Sequence, residues 1–155
     1  MFDTHADTLP VWTALTLAAA ATLALVLAVP ASPPPDATAV ANAVDAVAAS
    51  DHAAARTLHV AADARVRPTR LALRNDAGTA HATLRAAVTP ASTPALRRVL
   101  DGDPPSAVYD SPAAFARAAR DARERARTGA KWLPTDGDLR VRRVALGGED
   151  VTLLG

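Results

Sequence analysis

Four histidines, His5, His52, His59 and His81, are the side chains of this 155-residue chain best suited to proton transfer or metal ligation. A hydrolytic site would add a nucleophile and an orienting acid to one of them. Ser50, Ser106 and Ser111 are available, but none stands in a nucleophile-elbow pattern. Ser111 followed by Pro112 reads instead as a helix cap, with Asp110 part of the same cap. His59 and Asp63 are four apart, a spacing that gathers ligands only on a helix. The stretch reads as strand, so His59 and His81 are expected as exposed strand histidines. Asp101-Gly102-Asp103 and Asp136-Gly137-Asp138 lack the carboxylate run and closing Glu of a calcium loop, and Asp-Gly is ordinary turn chemistry. Gly147-Gly148 has no helix after it and makes no phosphate loop. The chain has no cysteine, hence no thiolate or disulfide chemistry. The expectation is a non-enzymatic protein with no catalytic residue, no metal site and no cofactor.

The most distinctive surface is the Arg-rich segment 113–127. At about 100° per residue, Phe115, Ala118, Ala119, Ala122 and Ala126 share one face of a helix. Arg117, Arg120, Arg123 and Arg127 fall in the arc beside it. Such a stripe suits an anionic partner, nucleic acid or a lipid head group. Asp121 and Glu124 interrupt it, and it carries no aromatic side chain for base stacking, which argues against nucleic acid. A solvated helix face is the plainer reading.

The elements that must position this stripe follow from patterning. Residues 1–55 hold five Asp and no Lys or Arg, whereas residues 56–155 carry a net charge of +6. After an acidic tail at residues 1–10, residues 11–29 are free of charge: five Leu, three Val, seven Ala, three Thr and Trp12. As a helix they would span about 28 Å, which predicts a single-pass transmembrane helix and a cell-membrane location. Ala20, Ala24 and Ala28 would form a ridge on which two such helices could dimerise in the bilayer. Val29-Pro30-Ala31 would also serve as a leader cleavage site. Neither flank has a nearby Lys or Arg, so the charge rule assigns no side to the C-terminal domain.

Residues 30–56 read as a Pro/Ala-rich spacer with a short helix over 37–49, capped by Asp36 and striped by Val40, Val44 and Val47. Residues 57–155 read as a small α+β domain, strand-led, with two hairpins and two helices. Thr57–Val60 and Arg65–Leu73 are predicted strands, with Pro68 confining the second to an edge or a bulge. Thr79–Val88 returns through the Asn75–Gly78 turn. The helices open at Thr93-Pro94 and Ser111-Pro112 and stop at Gly102 and Gly129. A hairpin over Leu139–Leu146 and Asp150–Leu154 closes the chain. Tyr109, Phe115 and Trp132 join Leu and Val in one modest core. With 40 alanines and 3% aromatic residues, that core is expected to be thin.

Asp outnumbers Glu 14 to 2 and Arg outnumbers Lys 16 to 1, a usage that looks haloarchaeal. Met1–Thr4, Pro33–Asp36, Val44–Ser50, Leu73–Ala82, Asp110–Phe115 and Val141–Val144 resemble a haloarchaeal family of short membrane-anchored proteins of unknown function. The resemblance implies an accessory role in a pilus- or secretion-type assembly, beside other membrane proteins, and carries over no active-site residue. Type IV pilins share the general plan. This chain lacks their basic-Gly processing site, and Pro30 with Pro33–Pro35 would break a pilin's long helix.

Overall fold

The computed structural model describes residues 9–27, 33–135 and 137–155. The chain divides into two units, Met1–Pro33 and Pro34–Gly155. In the first, helix α1 runs from Leu9 to Leu27. The hydroxyl of Thr16 donates to the Trp12 carbonyl at 2.9 Å, and that of Thr22 to Ala18 at 2.7 Å.

The expected transmembrane helix does not stand. Among the described residues no helix is long and apolar enough to cross a membrane. The physical reason lies in composition over residues 11–24, the part of α1 whose side chains are described. Nine of these fourteen are Ala or Thr, which are weakly apolar or polar. The single-pass anchor and the cell-membrane location it implied fall with it. Residues 1–8 with Asp3, His5 and Asp7, residues 28–32 with Ala28 and the cleavage motif, and Asp136 lie outside the described residues.

The second unit is α+β, with two sheets, and with α1 the chain has five described helices where the sequence suggests four. Helix α2, Ala37–Ala48, begins where the Asp36 carboxylate accepts from the Ala39 amide at 2.9 Å. Its apolar stripe is docked: Ala37, Ala41, Val44 and Val47 are buried against both sheets. The first sheet has the order β1-β6-β7-β5, from β1 (Ala54–Val60), β5 (Thr89–Pro90), β6 (Gly137–Leu146) and β7 (Glu149–Leu154). The second is the meander β2 (Asp63–Arg67), β3 (Arg70–Asn75) and β4 (Gly78–Thr83).

Alternation along β6 sends Leu139 and Val141 to one face and Val144 to the other, so the first sheet is covered twice. One core joins α2, the two sheets and Val88; the other joins Val144, Val151 and Leu153 to α3 (Pro94–Asp101) and α5 (Pro112–Gly129). Thr93 and Ser111 cap these helices through the Leu96 and Ala114 amides, each with proline in the first turn. A further one-turn helix, α4 (Pro105–Val108), lies between them. Phe115 is wholly buried with the Tyr109 ring 5.3 Å away, whereas Trp132 belongs to neither core.

The largest local departure is at Pro68. Residues 65–73 form not one strand but a tight hairpin, with Arg67 directly opposite Arg70 and Pro68-Thr69 as its turn. The proline ring presets φ near −65°, which suits the first central residue of a turn as well as an edge strand. The turn is tied down, because its Pro68 and Thr69 carbonyls accept from the Val88 and Leu84 amides at 2.8 and 3.0 Å.

Candidate anion-binding surface

The outer face of the β2-β3-β4 sheet is built by register. Ala64, Val66, Leu71 and Leu73 point into the core, so Asp63, Arg65 and Arg67 point outward, as do Arg70, Ala72 and Arg74. Pairing arranges these in three rows with β4: Asp63–Arg74–Thr79, Arg65–Ala72–His81 and Arg67–Arg70–Thr83. The first row is neutralised, with Arg74 donating to Asp63 at 2.9 Å. The third row sets two like charges opposite each other, an arrangement that destabilises a sheet unless a counter-charge sits beside it.

None is supplied by the described residues. Asp101, Asp103 and Asp150 pair with Arg140, Arg98 and Arg143 elsewhere. Arg65, Arg67 and Arg70 form no ion pair among the described residues. A concavity of about 380 Å³ covers the second and third rows, lined by Arg65, Arg67, Arg70, His81 and Thr83. A second, of about 350 Å³, lies beyond the hairpin turn and is lined by Arg67, Thr69 and Arg70 together with Arg123 and Arg127 of α5. The two concavities share Arg67 and Arg70, and neither wall includes a described Asp or Glu.

Of the four arginines singled out on the helix, the structure brings two to this surface. Arg123 and Arg127 line the second concavity, whereas Arg117 and Arg120 are exposed on α5 and line neither. The reason is position along the helix rather than face: Arg120 and Arg127, seven residues apart, share nearly one face, and only the C-terminal turns of α5 lie beside the hairpin. Arg127 is compensated by Glu124 at 2.9 Å. The Nε of Arg123 donates to the Ala119 carbonyl at 3.4 Å, which steadies its guanidinium on the helix shoulder.

Arg65, Arg67, Arg70 and Trp132 are the members that sequence reasoning missed. The signal for the arginines is Arg-Val-Arg-Pro-Thr-Arg, in which Pro-Thr read as a two-residue turn returns Arg70 to the face of Arg65 and Arg67. The Trp132 ring sits outside the sheet with the guanidinium carbons of Arg65 and Arg74 each 4.5 Å from its centroid. It is held there because Leu133, next in sequence, pairs with Ala64 through two backbone hydrogen bonds of 2.9 and 2.7 Å.

The histidines do not converge. His59 on β1 pairs with Asp138 at 2.6 Å, His81 lies on the other sheet, and Asp63 is engaged by Arg74. Among the described residues no group of His, Asp and Glu is placed to hold a metal ion. The arginine side chains offer planar forks of hydrogen-bond donors, an arrangement that can hold a negatively charged group.

Residues 3–144 match the model of a family described as a family of unknown function (DUF7283). No curated protein and no solved structure matches the chain.

Proposed function

The chain belongs to the DUF7283 family, whose function is unknown, and we propose that it is a non-enzymatic accessory protein that holds an anionic partner on its arginine-lined surface. One observation carries this reading. Arg67 and Arg70 face each other across a hairpin, Arg123 lines the same concavity, and no described carboxylate lines it. A fold that lacked a partner there would gain stability by losing one of those charges. The finer part of the proposal, a haloarchaeal accessory to a pilus- or secretion-type assembly, is supported by the sequence resemblance and by the preference for Asp over Glu and Arg over Lys.

The test is titration of the full chain with a fluorescent heparin oligosaccharide, a generic polyanion, over a range of salt. Binding should weaken linearly on a log–log salt plot, as counterion release requires. Changing Arg67, Arg70 and Arg123 together to Gln should cost about tenfold in affinity or more, equivalent to about 1.4 kcal/mol. Changing Arg117 and Arg120 to Gln should cost less than about twofold. Absence of binding at low salt, or equal losses in the two variants, would overturn the proposal.

A further inference from the structure

We infer that the concavity at the β2–β3 turn is a subsite for a phosphate dianion, free or carried as a phosphomonoester. The inference rests on the anionic-partner reading and gives it a chemical class. Three observations converge. First, the charges to be met are those of Arg67, Arg70 and Arg123, because Arg127 in the same wall is already paired with Glu124. A carboxylate or chloride brings one negative charge to this trio. A phosphomonoester brings about −1.5 to −2 at pH 7, with three acceptor oxygens.

Second, the donors come from two directions. Arg67 and Arg70 rise from adjacent strands of the sheet, while Arg123 comes from α5. Planar guanidinium forks that approach from different elements suit a tetrahedral group with oxygens on several sides, whereas a planar carboxylate is satisfied by one fork. Thr69, at the turn itself, adds a hydroxyl to the wall.

Third, the site is fixed before any ligand arrives. The turn carbonyls are bonded to the Leu84 and Val88 amides. The Asp45 carboxylate on α2 accepts from the Arg85 and Ala86 amides at 3.0–3.3 Å, which holds the loop that supplies Ala87 to the same wall. A fixed backbone leaves only the arginine side chains to be ordered on binding, which limits the entropy cost. The space of about 350 Å³ exceeds what a bare phosphate fills, and the adjoining concavity with Arg65, His81 and Thr83 offers room for the group that carries it.

The experiment is calorimetric titration of the full chain, at constant ionic strength, with inorganic phosphate, phenyl phosphate, dimethyl phosphate and acetate. Inorganic phosphate and phenyl phosphate should bind at least about tenfold more tightly than the two monoanions. Their affinity should rise as the second phosphate proton leaves, at about pH 6 for the monoester and about one unit higher for inorganic phosphate. Tighter binding of phenyl phosphate identifies a carried group as the ligand; equal binding identifies free phosphate. Arg67→Gln and Arg70→Gln, checked for native circular dichroism, should each abolish the preference for the dianions, and Arg117→Gln should keep it. Phosphate binding no tighter than acetate, or a preference that survives both Arg67→Gln and Arg70→Gln, overturns the inference. Should heparin still bind in that case, the anionic-partner reading stands and the phosphate subsite alone falls; should heparin also fail, both fall.

Discussion

Removing one member of the Arg67–Arg70 pair should stabilise the protein while weakening its anion binding. The two residues are the last register partners before a two-residue turn, which places their Cβ atoms about 5 Å apart. With the guanidinium groups splayed to about 7 Å, Coulomb repulsion in water is about 0.6 kcal/mol. A Debye length of about 10 Å at 0.1 M salt roughly halves it, while Arg123 in the same concavity adds a second repulsion of similar size. Arg67→Gln or Arg70→Gln should therefore stabilise folding by about 0.3–0.6 kcal/mol. For a unit of this length that raises Tm by about 1–2 °C. The double variant should gain less than the sum of the singles, because the first substitution already removes the interaction.

The assay is thermal unfolding of the full chain and the three variants at 0.01 M and 1 M salt. Across that range the Debye length falls from about 30 Å to about 3 Å, so the gain should be largest at low salt and vanish at high salt. Saturating polyanion should invert the order and leave the unsubstituted chain most stable, since only it keeps every contact with the ligand. Singles that destabilise equally at both salt levels would refute the reasoning. The pair would then contribute through packing of its aliphatic stems rather than through charge.

Three further outcomes follow from named contacts. The Tyr109 hydroxyl is buried and makes no well-formed hydrogen bond among the described residues; burial raises its pKa above 10, and a weak interaction with the Thr93 side chain opposes the shift. The neutral phenol is thus favoured in the folded state, so stability present below pH 10 should be lost as pH rises beyond it. Phenolate absorbance of this lone tyrosine should titrate late, and Tyr109→Phe should remove its share of the alkaline loss; a normal titration would contradict the burial argument. Asp45→Ala should cost about 1.5–3 kcal/mol in urea unfolding, since it leaves the Arg85 and Ala86 amides without their charged acceptor; a loss below about 0.5 kcal/mol would show that water replaces it. Gly147→Ala should destabilise by about 2 kcal/mol or more, because φ there is +59° and an added Cβ would lie 2.5 Å from the Pro112 ring. Gly148→Ala, at φ +85° with open space around it, should cost less, and equal losses would assign the whole effect to the backbone.

The division between what was legible in the sequence and what was not has a physical pattern. Helix ends were legible because a cap is a local event: Thr93-Pro94, Ser111-Pro112 and Asp36 each bond an amide three residues on, which needs no tertiary contact. The closing hairpin was legible for the same reason, since Gly147-Gly148 supplies two residues with positive φ between alternating strands. The anion surface is not local. It depends on whether Pro68 continues a strand or turns it, and both are compatible with the fixed φ of proline. What decides is tertiary, the Leu84 and Val88 amides that donate to the Thr69 and Pro68 carbonyls when the turn forms. Trp132 was misplaced for a related reason, because composition assigns a tryptophan to a core, whereas register with Ala64 sends it to the outer face between two guanidinium groups. The same blindness made the helical stripe look like four equivalent arginines. Four of the five buried positions of α5 are alanine, which marks no face by size, so only packing shows that Arg123 and Arg127 meet the hairpin while Arg117 and Arg120 do not. In α1 the alanine excess misled in the other direction, since a run without charge is not thereby a run apolar enough to cross a membrane. The arginine cluster drawn from two strands and a helix is therefore a property of strand register and of position along the helix, which is why substitutions that preserve the charge count but shift either one should disperse it.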